Sequence, residues 1–248
     1  MLGIIAISYA LSIRSISAIV LYNRSMCGRY TLSSGESLYK RFKIDQISGR
    51  IKPNYNIAPG MMMPVVIRQS PNQIMMMKWG LIPSWAKDIR IGYKLINARV
   101  ETLRQKPAFR SSLYTKRCFV PASGFYEWEH KERSKIPYYI KLKSEELFAF
   151  AGLYDVWKDA EGKEIRSYTI ITCDSNKLVA KIHDRMPVIL RKDHEAMWLK
   201  EGETDIDRLL SLLNPYPEKE MEAYVVSSLV NSPKNNNKSL IEAVKTGK

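Results

Sequence analysis

Apolar residues gather in short runs rich in β-branched and aromatic side chains, separated by polar and Pro/Gly punctuation. Met63–Arg68 and Gln73–Trp79 flank a Ser-Pro-Asn turn and predict a hairpin. Arg117–Pro121, Tyr138–Lys143, Leu147–Trp157, Arg166–Thr172, Pro187–Leu190 and Glu222–Val226 predict further strands, and Tyr93–Ile96 is strand-like. Ser33-Ser34-Gly35-Glu36 has the form of a capping box opening a short helix through Phe42. Pro107–Leu113, Asp193–Leu199 and Thr204–Leu213 predict helices, the last stopped by Asn214-Pro215. Asp174 or Ser175 caps a further predicted helix running to Ile182. Pro53 to Pro59 is expected to be a turn-rich loop, and Lys234–Lys238 a polar loop. Many short strands with scattered helices, and no regular βαβ alternation, predict an α+β fold.

Residues 1–25 do not share this pattern. They are almost wholly apolar or hydroxylic, with Arg14 and Arg24 as their charges. A transmembrane helix needs about 18 or more consecutive apolar residues, and Arg14 interrupts the run. A secretory signal begins with a basic region, and no Lys or Arg precedes Arg14. Residues 1–26 are therefore expected to be a leader or a mis-assigned start, with the functional domain over 27–248.

The 248 residues carry 39 Lys plus Arg against 25 Asp plus Glu, a net charge of +14 that points toward a polyanionic partner. With 45% hydrophobic and 26% charged residues, the chain is neither disordered nor fibrous. The length suits one large domain or two small ones. Three cysteines without a C-x-x-C pair exclude a disulfide framework and a thiolate zinc finger, and the odd count favours a reducing compartment.

Four side chains could carry chemistry. If the chain starts at Met26 and that Met is removed, Cys27 bears both an α-amine and a thiol. The amine has a reference pKa of about 7.7–8.0, so much of it is unprotonated at neutral pH. Such a 1,2-aminothiol condenses with an aldehyde to an imine, and the thiolate then closes a thiazolidine ring. The alternative is a small buried cysteine. Glu127 lies between Tyr126 and Trp128, and desolvation there would raise its pKa toward neutrality and suit it to proton transfer. Alternatively it is an ordinary exposed strand residue. Glu129 falls on the same side by period two, and position alone does not separate the two. His183 alone of the three histidines lies in a Pro-punctuated loop between a helix and a strand, where it could shuttle protons or serve the loop's structure. Asn97 could orient a substrate carbonyl or hydroxyl, and Arg99 could hold a phosphate, or the pair could be a turn residue and a solvated cation. Trp79, Trp85, Arg90, Lys94, Arg99, Arg104, Lys106 and Arg110 interleave aromatics and cations in a way that suits single-stranded nucleic acid. They would equally form core tryptophans beside a solvated face.

Six segments in order resemble the SOS-response-associated peptidase (SRAP) family across nearly all of Met26 to Val244. They are Met26-Cys27-Gly28-Arg29-Tyr30, Tyr55-Asn56-Ile57-Ala58-Pro59, Lys78-Trp79-Gly80-Leu81-Ile82-Pro83-Ser84-Trp85, Asn97-Ala98-Arg99-Val100-Glu101-Thr102, Gly124-Phe125-Tyr126-Glu127-Trp128 and His183-Asp184-Arg185-Met186-Pro187. The resemblance implies a single domain built around antiparallel, barrel-like sheet with a groove for single-stranded DNA. It implies a protein that senses abasic sites there and joins them covalently, with Cys27 as nucleophile and Asn97, Glu127 and His183 as its partners. Arg29 and Arg99 match positions near phosphates, and Trp85 a stacking position. No metal or cofactor is expected. Single-stranded DNA with abasic sites is the expected partner, with no membrane and no obligatory protein partner. The expected form is a cytoplasmic monomer, at the nucleoid when bound to DNA. The chain departs from the family in placing residues before Met26. Two other activities stay open: a self-processing N-terminal-cysteine peptidase, with residues 1–26 as the substrate, and a non-covalent single-strand-binding module.

Overall fold

The structure, a computed structural model, describes residues 27–44, 51–69, 72–132 and 134–244. The expectation for residues 1–26 lies outside the described residues. So does part of the turn around Ser70-Pro71.

Strands β1 (Arg29–Leu32), β2 (Asn54–Ile57), β3 (Met62–Ile67), β4 (Gln73–Trp79), β5 (Asn97–Arg99) and β6 (Arg117–Ala122) are followed by β7 (Gly124–Lys131) and β8 (Ser134–Leu142). The long strands β9 (Phe148–Lys158) and β10 (Glu164–Asp174) come next, then β11 (Arg185–Pro187) and β12 (Met221–Val225). Helices α1 (Glu36–Arg41), α2 (Pro107–Thr115), α3 (Lys192–Trp198) and α4 (Ile206–Ser211) lie between them. The predicted hairpin is present, with Met62 opposite Lys78 and Ile67 opposite Gln73.

Strand pairing closes a barrel. β10 runs parallel to β4, β4 pairs with β3, β3 with β6, β6 with β9, and β9 returns to β10. Four of those five contacts are antiparallel, and closure leaves no free edge within the ring. Past the ring β10 gains two new neighbours, β5 and β11. Thr172 pairs with both Arg99 and Pro187, so the two lie on opposite edges. A second antiparallel sheet, ordered β12-β8-β7-β1-β2, packs against the barrel. Aromatics fill the seam. Tyr30 meets Trp79 and Phe150 edge-on at 5.2 and 5.9 Å, and its hydroxyl bonds that of Tyr168 at 2.8 Å. The fold is a single α+β domain with a barrel, as expected.

Several elements differ from expectation. The Pro53–Pro59 segment contains β2, an edge strand whose flanking prolines bound it rather than break it. The expected helix from Asp174 to Ile182 is a single 3-10 turn, Val179–Lys181, whose start is held by Asn176 Oδ1 accepting from Val179 N at 2.9 Å. A helix over those residues would advance by about 12 Å. The chain instead has to return at once, because Arg185 pairs with Asp174. Pairing of Arg185–Pro187 likewise moves β11 ahead of the expected Pro187–Leu190, leaving Ile189 an isolated bridge to Phe150. Tyr93 belongs to a 3-10 helix, Ile89–Lys94, whose Asp88 cap accepts from Arg90 N at 2.8 Å. Strand structure starts only at Asn97, where β10 offers an edge. The first-turn cap of α1 comes from Ser34, which accepts from Ser37 N at 3.2 Å, one residue later than the expected box.

Gly80 turns the chain out of β4 at φ +118°, and an added Cβ would lie 2.6 Å from the Gly92 carbonyl oxygen. Gly80→Ala is therefore expected to lose about 3 kcal/mol from combined strain and overpacking. That lowers the thermal midpoint by about 10 °C. Gly60→Ala, at φ +89° with open space around it, should lose only about 1 kcal/mol. Circular dichroism melts of the two variants test the order.

Candidate active site around Cys27

The site forms where the second sheet meets the end of β10. β1 pairs with β7, Arg29 opposite Tyr126, and one more step of that register sets Gly28, just before β1, level with Glu127. Cys27 precedes the strand with a left-handed backbone, φ +39°, a conformation that costs an L residue about 1 kcal/mol. Its main-chain nitrogen donates to Glu127 Oε1 at 2.6 Å. Both residues are buried. Burial pushes the Glu127 carboxyl up to about 8, and the charge of Asp184 adds to the rise. The N–H groups of Cys27 and Trp128 oppose it. Burial, with the Glu127 charge second, also raises the Cys27 thiol. Of the two glutamates that period two could not separate, Glu127 is thus the desolvated one. Glu129 accepts from the Tyr138 hydroxyl at 3.1 Å and pairs with Lys131.

β5 brings Asn97 to the same place from the barrel side. Its Nδ2 makes a long contact, 3.5 Å, with the Cys27 carbonyl oxygen. His183 follows the Val179–Lys181 turn and directly precedes Asp184. Its Nδ1 accepts from the Arg185 N–H at 3.1 Å, while an Asp184 carboxylate oxygen stands 3.0 Å from the same nitrogen. The backbone donor claims that lone pair, and burial lowers the His183 pKa below its ordinary value. The ring is therefore neutral at physiological pH, with its proton assigned to Nε2. Asp184 links the two groups electrostatically, raising Glu127 on one side and opposing the fall in His183 on the other.

Arg185 gives this corner its rigidity, and its role was not apparent from the sequence. It is buried, and grips both Glu101 oxygens at 2.6 and 2.9 Å, Asp174 Oδ1 at 2.5 Å and the Thr172 carbonyl at 2.9 Å. Glu101 lies two residues past β5 and Arg185 two past His183, so this bidentate pair ties the Asn97 segment to the His183 segment.

The residues expected to meet DNA are placed differently from one another. Arg29 donates to Asn56 Oδ1 at 2.7 Å and to the Val230 and Asn231 carbonyls at 2.8 and 3.2 Å, fastening the C-terminal segment to β2. Arg99 is exposed, and Trp85 is 57% exposed. Trp79 is core, its Nε1 donating to the Ile96 carbonyl. Arg90 and Arg104 pair with Asp88 and Asp207. Among the described residues no cluster of three His, Cys, Asp or Glu could hold a metal, and no helix is long and apolar enough to cross a membrane.

The fold agrees with what comparison finds. The chain is 53% identical over 223 residues to the abasic site processing protein YoqW of Bacillus subtilis (strain 168), covering 88% of this chain and all of that one. It is 35% identical over 232 residues to the abasic site processing protein HMCES of Xenopus tropicalis, covering 81% of this chain and 69% of that one. A crystal structure of a Bacteroides thetaiotaomicron protein superposes with a TM-score of 0.81 at 31% identity, covering 88% of this chain and all of that one. The family model for SOS response associated peptidase (SRAP) matches residues 26–233, and the chain belongs to that family.

Proposed function

We propose that the protein acts on abasic sites in single-stranded DNA and joins them covalently through Cys27, in a chain that begins at that residue. The observation that carries this reading is the 2.6 Å contact between the Cys27 main-chain nitrogen and a buried Glu127 carboxylate. The site aims its base at the nitrogen, which becomes a nucleophile only as a terminal amine. Three facts support a start there. The family match begins at residue 26, and the whole of YoqW aligns with 88% of this chain. The φ of +39° also needs the carbonyl of residue 26, so a chain starting at Cys27 does not carry that strain.

The chemistry follows from the placement. An abasic deoxyribose hides an aldehyde in its ring-closed form. His183, with Nε2–H as donor, hydrogen-bonds the ring oxygen and assists ring opening, in which the C1′ hydroxyl gives up a proton and the ring oxygen gains one. Glu127 takes a proton from the Cys27 amine as the nitrogen attacks C1′. The carbinolamine loses water to give a Schiff base, the Cys27 sulfur adds to that carbon, and a thiazolidine closes with net loss of one water. Asn97 holds the Cys27 carbonyl side of the site. The closed ring blocks β-elimination and shields the strand from breakage. Trp85 and Arg99 supply stacking and a phosphate contact. The test is incubation of protein starting at Cys27 with a single-stranded oligonucleotide bearing one abasic site, read on a denaturing gel. A shifted band is expected with the abasic strand and none with the undamaged strand. Binding that salt abolishes, with no denaturant-resistant band, would replace this reading with a non-covalent single-strand binder.

A further inference from the structure

Trp85 stands at the tip of the 82–87 loop, and the loop is tied down on both sides of it. The Ser84 N–H donates to Asp155 Oδ2 at 2.8 Å, and Trp157 Nε1 donates to the Ala86 carbonyl at 2.7 Å. One step further back the Ile82 N–H donates to Ser167 Oγ at 2.7 Å, and the Ala86 N–H closes a turn on the Pro83 carbonyl at 2.9 Å. Asp155 and Trp157 lie two apart on β9, so they present to one face of that strand. Asp155 is buried, and its other oxygen is held by Lys116 Nζ and the Val156 N–H. The carboxylate is thereby paired with a cation and fixed independently of the loop it holds. Both anchors reach main-chain atoms of the residues flanking Trp85. They fix where its Cα stands while the side chain remains in solvent. A large aromatic held out on a fixed loop meets a flat partner without the cost of ordering the loop backbone on binding.

We propose that Asp155 and Trp157 are positioning residues for Trp85, holding the 82–87 loop so that Trp85 stacks on an unpaired base of the strand. This rests on single-stranded DNA being the partner. Trp157→Phe keeps a ring and removes the N–H donor. It is expected to weaken binding of an undamaged single-stranded oligonucleotide roughly 3- to 10-fold at fixed salt, measured by fluorescence anisotropy. In a Trp85→Ala background the same substitution should change nothing further, since the two act as one unit. In the cross-linking reaction it should raise the half-saturating concentration of abasic DNA and leave the rate at saturation unchanged, because it touches none of Cys27, Asn97 or Glu127. Asp155→Ala should behave in the same way, and thermal melts of both variants report whether they fold. An equal loss with and without Trp85, or no loss in either variant, overturns the positioning role. Wild-type protein that binds no oligonucleotide overturns the single-strand reading itself, which a wild type that binds but ignores both substitutions does not.

Discussion

A protein beginning at Cys27 and carrying Cys27→Ala is expected to form no denaturant-resistant adduct with abasic single-stranded DNA. Alanine keeps the terminal amine, so the Schiff base still forms. It can be trapped by borohydride, but it hydrolyses, and it leaves the strand open to β-elimination. Strand cleavage should therefore rise as the stable band disappears. The size of the effect comes from ring closure. A thiol held on the same residue as the imine reacts at an effective concentration of about 10⁵ M or more, which no external thiol matches. The adduct half-life should accordingly fall by about 10³-fold or more. A second arm separates amine from thiol. Protein that keeps residue 26 in peptide linkage has the same thiol and the same Glu127, but its Cys27 nitrogen is an amide, and it should form neither imine nor ring. Intact mass of each preparation states which form is present. A stable band in Cys27→Ala, or in the protein that retains residue 26, would remove the thiazolidine mechanism. Cleavage before Cys27 that vanishes in Cys27→Ala would instead favour self-processing.

The elements most legible in the sequence are those whose signal is local. The 62–79 hairpin, α2, α3 and β12 all follow from runs of strand or helix formers with clear punctuation. The misses share a cause, which is that partner edges decided the outcome. β2 forms between two prolines because β1 offers it an edge, and the segment after β10 cannot become a helix because Arg185 must return to pair with Asp174. The same division holds at the site. Cys27, Asn97, Glu127 and His183 were recognisable as motif residues, but only the fold puts the Cys27 nitrogen, rather than its sulfur, on Glu127. Arg29 matches a position near phosphates in the family resemblance, and in the structure it fastens the C-terminal segment. Arg185, Glu101, Asp155 and Trp157 have roles that consist of long-range hydrogen bonds, and nothing in their neighbours along the chain announces these. Burial of a charged side chain is the signal that finds Arg185 and Asp155, and it exists only in three dimensions.

Glu127→Gln is expected to slow cross-linking about 10²- to 10⁴-fold while leaving DNA affinity unchanged. Glutamine fills the same volume and still accepts from the Cys27 nitrogen, but it cannot take the proton that attack releases. The pH dependence carries the sharper test. Burial raises the carboxyl from an ordinary 4.5 to about 8, so with residue 26 attached Glu127 is largely protonated at pH 7. In a chain starting at Cys27 the ammonium in contact with it favours the carboxylate and draws that value down. Carbon NMR titration of Glu127 in the two forms should show the midpoint near 8 only where residue 26 is retained. The rate of the active form should rise with pH as Glu127 ionises, and the Glu127→Gln protein should lack that limb. Stability follows the opposite course in the longer form. A carboxyl raised on folding favours the native state below its unfolded value of 4.5, and this contribution is lost as pH climbs through about 8. Glu127→Gln should therefore gain on wild type by up to about 5 kcal/mol between pH 4 and pH 9, read from paired denaturation curves. An unchanged cross-linking rate would take the base role from Glu127. A rate that falls without losing its alkaline limb would assign the titration to another group, with the Cys27 amine itself the remaining candidate.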